Sequence, residues 1–229
     1  MPCRADNGLA DAATTRVELD GCVSALHDWH HGTPPRGVVL MLHGGAETGL
    51  DAITVRSGPY LRSRLMAHAI RRRLAAQGVD LALLRFSIRG WNADRGEPSP
   101  LADARWALDE VTRRYGAVPI VLLGHSMGAR TALRVADASS VAGVVGLAPW
   151  FPKDDDVSAI AGKELVAAHG SRDRITSARH TRALLERAEA AGARTRFVDM
   201  GPLGHYMLRR PGDWNRAALE ACLSVVRHI

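Results

Sequence analysis

Five short runs, Val38–Leu42, Asp80–Phe86, Pro119–Leu123, Val141–Ala148 and Glu164–His169, recur along the chain with strand length and mostly apolar composition. They are too continuously apolar for strands with one wet face. Segments of helical character separate them. One opens at Pro59 and runs to about Gln77, with Gly78 as its stop. Another carries Leu101, Ala104, Leu108 and Val111 at helical spacing, and others span Ala129–Ala138, Ser177–Ala191 and Asp213–His228, the last with Asp213 as expected N-cap. This alternation predicts an α/β fold, a mainly parallel twisted sheet with helices on both faces. Ahead of it, Thr15–Leu19 and Cys22–His27 flank Asp20-Gly21 and read as a β-hairpin. Residues 1–14 are expected to be a flexible start, and residues 15–229 a single domain.

Composition narrows the function classes. No apolar stretch is long enough to span a membrane, and residues 1–15 lack the hydrophobic centre of a secretory signal, so a cytoplasmic protein is expected. Cys3, Cys22 and Cys222 form no CxxC pair, which argues against a disulfide framework or a cysteine zinc site. The net charge of +6 raises nucleic-acid binding, but the 30 basic residues are interleaved with 24 acids along the whole chain. The densest cluster, Arg62, Arg64, Arg71, Arg72 and Arg73, reads as the solvated face of one helix. No nucleic-acid partner is expected.

The chemistry concentrates at Gly124-His125-Ser126-Met127-Gly128. A strand precedes this GxSxG pattern and a helix-compatible run follows it. In that setting the small residues at either end let the backbone fold back and project the serine hydroxyl above the sheet edge. A serine needs a base and a group to orient that base. Asp173, in Gly170-Ser171-Arg172-Asp173 after a later strand, fits the acid, and His205, after Gly204, fits the base. Asp154, Asp155 and Asp156 are alternative acids, but three exposed acids in a row more often form a solvated turn. Asp199, at a strand end, reads as structural. His228 lies next to the C-terminus, and His125 is locked within the elbow. The oxyanion would be met by the N–H of Met127 and by that of Gly45, or alternatively Ala46, in His43-Gly44-Gly45-Ala46. His43 is expected to hold that turn by hydrogen bonding.

With HGGA, GHSMG, GSRD and the late GH in this order, the sequence resembles the α/β-hydrolase superfamily from about Thr15 onward. Compact esterases similar to dienelactone hydrolases and to serine aminopeptidases or lysophospholipases are the nearest patterns. Dienelactone hydrolases proper carry a cysteine nucleophile, so Ser126 departs from them and their lactone activity does not carry over. The resemblance implies an α/β-hydrolase fold and a triad of Ser126, Asp173 and His205 that needs no cofactor. It implies cleavage of a small-molecule carboxylic ester through an acyl-serine. A thioesterase or acyltransferase acting on an acyl thioester is the alternative, and a non-catalytic binding protein of the same fold is a third reading.

Only residues 149–163 separate the runs Val141–Ala148 and Glu164–His169, room for a short crossover helix and not for the inserted cap of larger superfamily members. An open, shallow site follows, walled by Trp91, Trp150, Phe151, Leu203 and Tyr206, with the loops Ala46–Gly58 and Ser87–Pro100 (bearing Arg89 and Arg95) near it. These aromatics suit an apolar pocket, though packing under loops would explain each as well. The histidines His27, His30 and His31 cluster in sequence, but lie away from the expected catalytic edge and show no companion carboxylates, so no metal is expected.

Overall fold

The computed structural model describes residues 13–19, 22–93 and 100–228. In chain order the elements are β1 (Ala13–Leu19), β2 (Cys22–Trp29), β3 (Gly37–Leu42), α1 (Gly58–Ala75), β4 (Val79–Arg85), α2 (Pro100–Tyr115), β5 (Ile120–His125) and α3 (Met127–Arg134). They continue with β6 (Val141–Leu147), β7 (Glu164–His169), α4 (Ala178–Ala190), β8 (Arg194–Asp199) and α5 (Pro211–Arg227). The strands form one eight-stranded sheet in the order β1-β2-β4-β3-β5-β6-β7-β8. β1 pairs antiparallel with β2, and β2 antiparallel with β4; all pairings from β4 through β8 are parallel. This is an α/β-hydrolase fold, and the described residues include no large cap domain. The hairpin forms as expected, with Leu19 opposite Cys22. Its turn, Asp20-Gly21, and most of the expected flexible start lie outside the described residues, while residues 13 and 14 belong to β1.

Burial explains the continuous apolar runs. Every residue of β3, β5 and β7 is buried, because helices cover both faces. Along β3 the side chains alternate: Val38, Leu40 and Leu42 enter a cluster with α2, α3 and α4, while Val39 and Met41 enter one with α1 and α5. Gly78 takes φ +70° just past α1, the left-handed conformation that ends a helix. Among the described residues no helix is long and apolar enough to cross a membrane.

Several expectations need correction. α3 ends at Arg134 and not near Ala138. α5 starts at Pro211 with Arg210 as its N-cap, so Asp213 lies inside the first turn, where it pairs with Arg210 and Arg216. The crossover from β6 to β7 holds a single 3-10 turn, Ser158–Ile160, instead of an α-helix. Within the acidic run, Asp155 is buried, its carboxylate accepting from Arg130 Nε at 2.8 Å and Arg134 Nη1 at 3.1 Å. It ties the crossover to α3. Arg62 is only half-exposed, unlike its solvated neighbours Arg64 and Arg72.

Candidate active site

The strand order reverses direction around β3, which lies between β4 and β5. At such a switch point the carboxyl ends of neighbouring strands open a crevice. Register places Leu42 of β3 opposite Gly124 of β5, so the loops leaving both strands start side by side. Ser126 occupies the turn from β5 into α3 with φ 53° and ψ −117°. A non-glycine residue held there costs about 1–3 kcal/mol, and the flanking glycines let the surroundings enforce it. A Cβ on Gly128 would come within 2.5 Å of the His43 carbonyl oxygen, and one on Gly124 would collide with the backbone of Ala129. The Ser126 carbonyl also accepts from Trp150 N–H at 3.2 Å, joining the elbow to the loop after β6.

Asp173 and His205 arrive on two loops zipped together. Ser171 N–H donates to the Gly201 carbonyl at 2.8 Å, and Arg172 N–H to the Leu203 carbonyl at 3.1 Å. The approach is close enough that a Cβ on Gly170 would lie 2.7 Å from the Leu203 carbonyl carbon. The result is a continuous chain of hydrogen bonds. Ser126 Oγ lies 3.0 Å from His205 Nε2, and His205 Nδ1 lies 2.9 Å from Asp173 Oδ2. Ser126 is 7% and His205 6% exposed, so water reaches them while their hydrogen bonds stay largely shielded. Asp199 and His228 take no part: Asp199 accepts from Gly201 N–H, and His228 pairs with Glu164.

Sequence reasoning missed two partners of Asp173. His169 Nε2 lies 3.1 Å from Asp173 Oδ2, and Thr176 Oγ1 donates to the same oxygen at 2.9 Å. The N–H groups of Ile175 and Thr176 donate to Oδ1, both at 2.8 Å. Burial alone would raise the Asp173 carboxyl, but the hydrogen bonds from His169, His205 and these backbone groups outweigh it and hold it well below the usual carboxylate range. The carboxylate is therefore ionised wherever the protein is folded at neutral pH. His169 closes β7 four residues before Asp173, and the turn between them brings the two side chains together.

Beside the serine, Met127 N–H is among the orphan donors at the start of α3. Gly45 packs against Met127 so closely that a Cβ would also come within 2.5 Å of the Arg89 carbonyl oxygen, so only glycine fits. Of the two expected donors in this loop, Ala46 N–H is already committed to that oxygen at 2.9 Å. His43 holds the turn: its Nδ1–H donates to the Gly44 carbonyl at 2.6 Å, and its Nε2 accepts from Phe86 N–H at 3.1 Å. Burial pushes its pKa down to about 4. His125 donates from Nε2 to the His205 carbonyl at 3.0 Å, bracing the histidine loop against the elbow. Burial, with His205 and Arg62 nearby, pushes its pKa down to about 3.

The expected walls separate into three kinds. Trp150 and Phe151 line an open cleft of about 680 Å³ with Asp173, Ile175 and Thr176. Tyr206 is 52% exposed and stands edge-on to the His205 ring at 5.4 Å. Trp91 and Leu203 are buried and line no part of that cleft. Trp91 instead backs Trp150 edge-on, and the Arg130 guanidinium stacks on both rings at 4.1 and 4.6 Å. Arg95 lies outside the described residues. At the far end of the sheet, ligand atoms of His30, His31 and Asp80 lie within 4.8 Å of one another, so a companion carboxylate does exist there. The buried Asp80 accepts from Nδ1 of both histidines and from His31 N–H, and these hydrogen bonds account for the cluster.

Comparison with known proteins agrees with this architecture. A serine hydrolase without a lid from Xanthomonas campestris superposes with a TM-score of 0.67 at 18% identity, covering 97% of each chain. Est1E from Butyrivibrio proteoclasticus gives 0.69 at 13% identity over 95% of this chain and 100% of its own. The propionate-bound esterase Est2 from the Planctomycetes species Thermogutta terrifontis gives 0.70 at 15% identity over 96% and 94%. No curated protein sequence matches the chain. The model of the alpha/beta hydrolase fold family matches residues 37–191, from β3 through α4 and including both the elbow and Asp173. The chain belongs to the alpha/beta hydrolase fold family.

Proposed function

We propose that this protein is a serine hydrolase that cleaves a carboxylic ester through an acyl-serine intermediate. The observation that carries this reading is the unbroken line from Ser126 Oγ to His205 to the ionised Asp173, with its serine on a strained elbow. His205 Nε2 takes the Ser126 proton as Oγ attacks the ester carbonyl, and the imidazolium is stabilised by Asp173. The N–H groups of Met127 and Gly45 receive the negative charge on the former carbonyl oxygen. When the C–O bond breaks, the leaving alcohol takes the proton from His205. Water, deprotonated by His205, then attacks the acyl-serine and releases the acid and the free serine. No metal or cofactor enters any step.

Ser126→Ala is expected to abolish both turnover of chromogenic esters and labelling by a fluorophosphonate, with an unchanged unfolding midpoint. Labelling that maps to another serine would refute the assignment. The propionate bound to the Thermogutta esterase and the ferulic acid bound to Est1E guide the ester panel toward short acyl and aryl groups. A second reading, hydrolysis or transfer from an acyl thioester, is favoured by the open cleft beside Asp173, which can admit a bulky leaving group. Matched oxygen esters and thioesters separate the two by their kcat/KM ratio.

A further inference from the structure

Most of the half-buried or buried arginines in this protein have at least one oxygen partner. Arg114 pairs with Asp28 and Glu110, Arg130 with Asp155, Arg85 with the Ile53 carbonyl and Arg187 with the Asp155 carbonyl. Arg62 and Arg71, both on α1, break the pattern, and of the two only Arg62 has a buried Nε. Among the described residues Arg62 has neither an ion pair nor a hydrogen bond, and its Nε is buried without an acceptor. Burial lowers its pKa, with Tyr206 as the ionisable neighbour that opposes this. A desolvated guanidinium with an unfilled donor is a cost that folding leaves standing.

Its position gives that cost a use. The Arg62 Cζ lies 5.3 Å from the centroid of the Tyr206 ring, and that ring stands 5.4 Å from the His205 ring. Arg62 is also close enough to His125, the residue before Ser126, to disfavour its protonation. The cation is therefore one aromatic ring away from the base. Stacking on a half-exposed tyrosine satisfies the face of a guanidinium but provides no acceptor for its N–H groups, which lie in the guanidinium plane. A planar carboxylate meets two N–H groups of one guanidinium at once.

We propose that Arg62 is a specificity residue that binds a carboxylate carried by the substrate away from the scissile carbonyl, so that the preferred substrates are acid-bearing esters. This deepens the ester-hydrolase reading of the same site and rests on it. The site selects by charge, because a neutral ester leaves the Arg62 donors unmet whereas an anionic one fills them.

Two matched pairs test it. 4-Nitrophenyl hemiglutarate against 4-nitrophenyl pentanoate puts the charge on the acyl side; 4-acetoxybenzoate against 4-acetoxybenzamide puts it on the leaving group. For at least one pair the anionic member is expected to have a kcat/KM at least tenfold higher. That preference should fall at least tenfold in Arg62→Gln and be partly kept in Arg62→Lys, with melting curves showing both variants folded. A ratio that stays within twofold of the parent in Arg62→Gln, for both pairs, overturns the proposal. Calorimetric binding of the uncleavable amides 4-acetamidobenzoate and 4-acetamidobenzamide adds a readout independent of turnover. Binding of the anion alone, lost in Arg62→Gln, supports the carboxylate site even if fluorophosphonate labelling refutes Ser126. Equal binding of both amides, or of neither, counts against the site even where esters are cleaved.

Discussion

Gly128 has no room for a side chain, and the atoms in its way belong to the backbone of β3 and the loop after it. Neither can retreat without breaking the β3–β5 ladder. Gly128→Ala is expected to cost about 1–3 kcal/mol or more of stability and to lower turnover beyond that, because the displaced loop carries Gly45. At Gly58, where a Cβ meets nothing within 4 Å, alanine is expected to be neutral or to add up to about 1 kcal/mol. Urea midpoints compare the two. His169 acts through Asp173 and touches no reacting atom in the proposed mechanism, which makes it a positioning residue. His169→Leu is expected to lower kcat about tenfold with KM unchanged. His169→Gln, which can keep an N–H near the same place, should recover part of the loss. A fall in KM-dependent binding alone would argue against this role.

At the scale of elements, α3 is pinned from outside by a residue of the β6–β7 crossover. Asp155→Ala removes the carboxylate that receives Arg130 and Arg134, and is expected to cost about 3–5 kcal/mol in a denaturation curve. The sequence disclosed the elements well because their signals are local. β7 coincides with its apolar run, and GHSMG sits between strand and helix as its pattern requires. Asp173 and His205 were found because each follows a strand in a glycine-containing loop. What escaped was decided by packing between distant segments. Asp155 looks like one of three solvated acids until α3 brings two arginines to it. Trp91 looks like a wall until Trp150 closes over it, and Arg62 looks like part of a charged face until Tyr206 leans against it. His169 read as a strand residue because the hydrogen bond to Asp173 depends on how the loop after β7 turns back.

For the molecule as a whole, two buried neutral histidines set its response to acid. His43 and His125 take up protons near pH 6.5 when unfolded but only near about 4 and about 3 when folded. The unfolded chain therefore binds more protons across that interval, so stability is full above pH 6.5 and falls as the pH drops toward 4. His43 alone accounts for on the order of 3 kcal/mol of that loss. Asp173, with its lowered pKa, adds a further loss below the ordinary carboxylate range. Urea midpoints at pH 7.0, 5.5 and 4.5 should decline steadily; a flat profile would contradict buried neutral histidines. The sheet's flanks are guarded by charge, with Arg16 and Glu18 exposed on β1 and Arg194 and Arg196 on β8.

The backbone zipper between the loops after β7 and β8 has a consequence for how this molecule would fail. Acid and base are fastened to each other by backbone, whereas only side-chain hydrogen bonds from His125 and Ser126 tie them to the elbow on a separate part of the sheet. Gentle heating that loosens the β7–β8 flank would carry two partners off as a unit and strand the third. The first casualty of warming would be the serine's reactivity, while the imidazole and its carboxylate stay wedded.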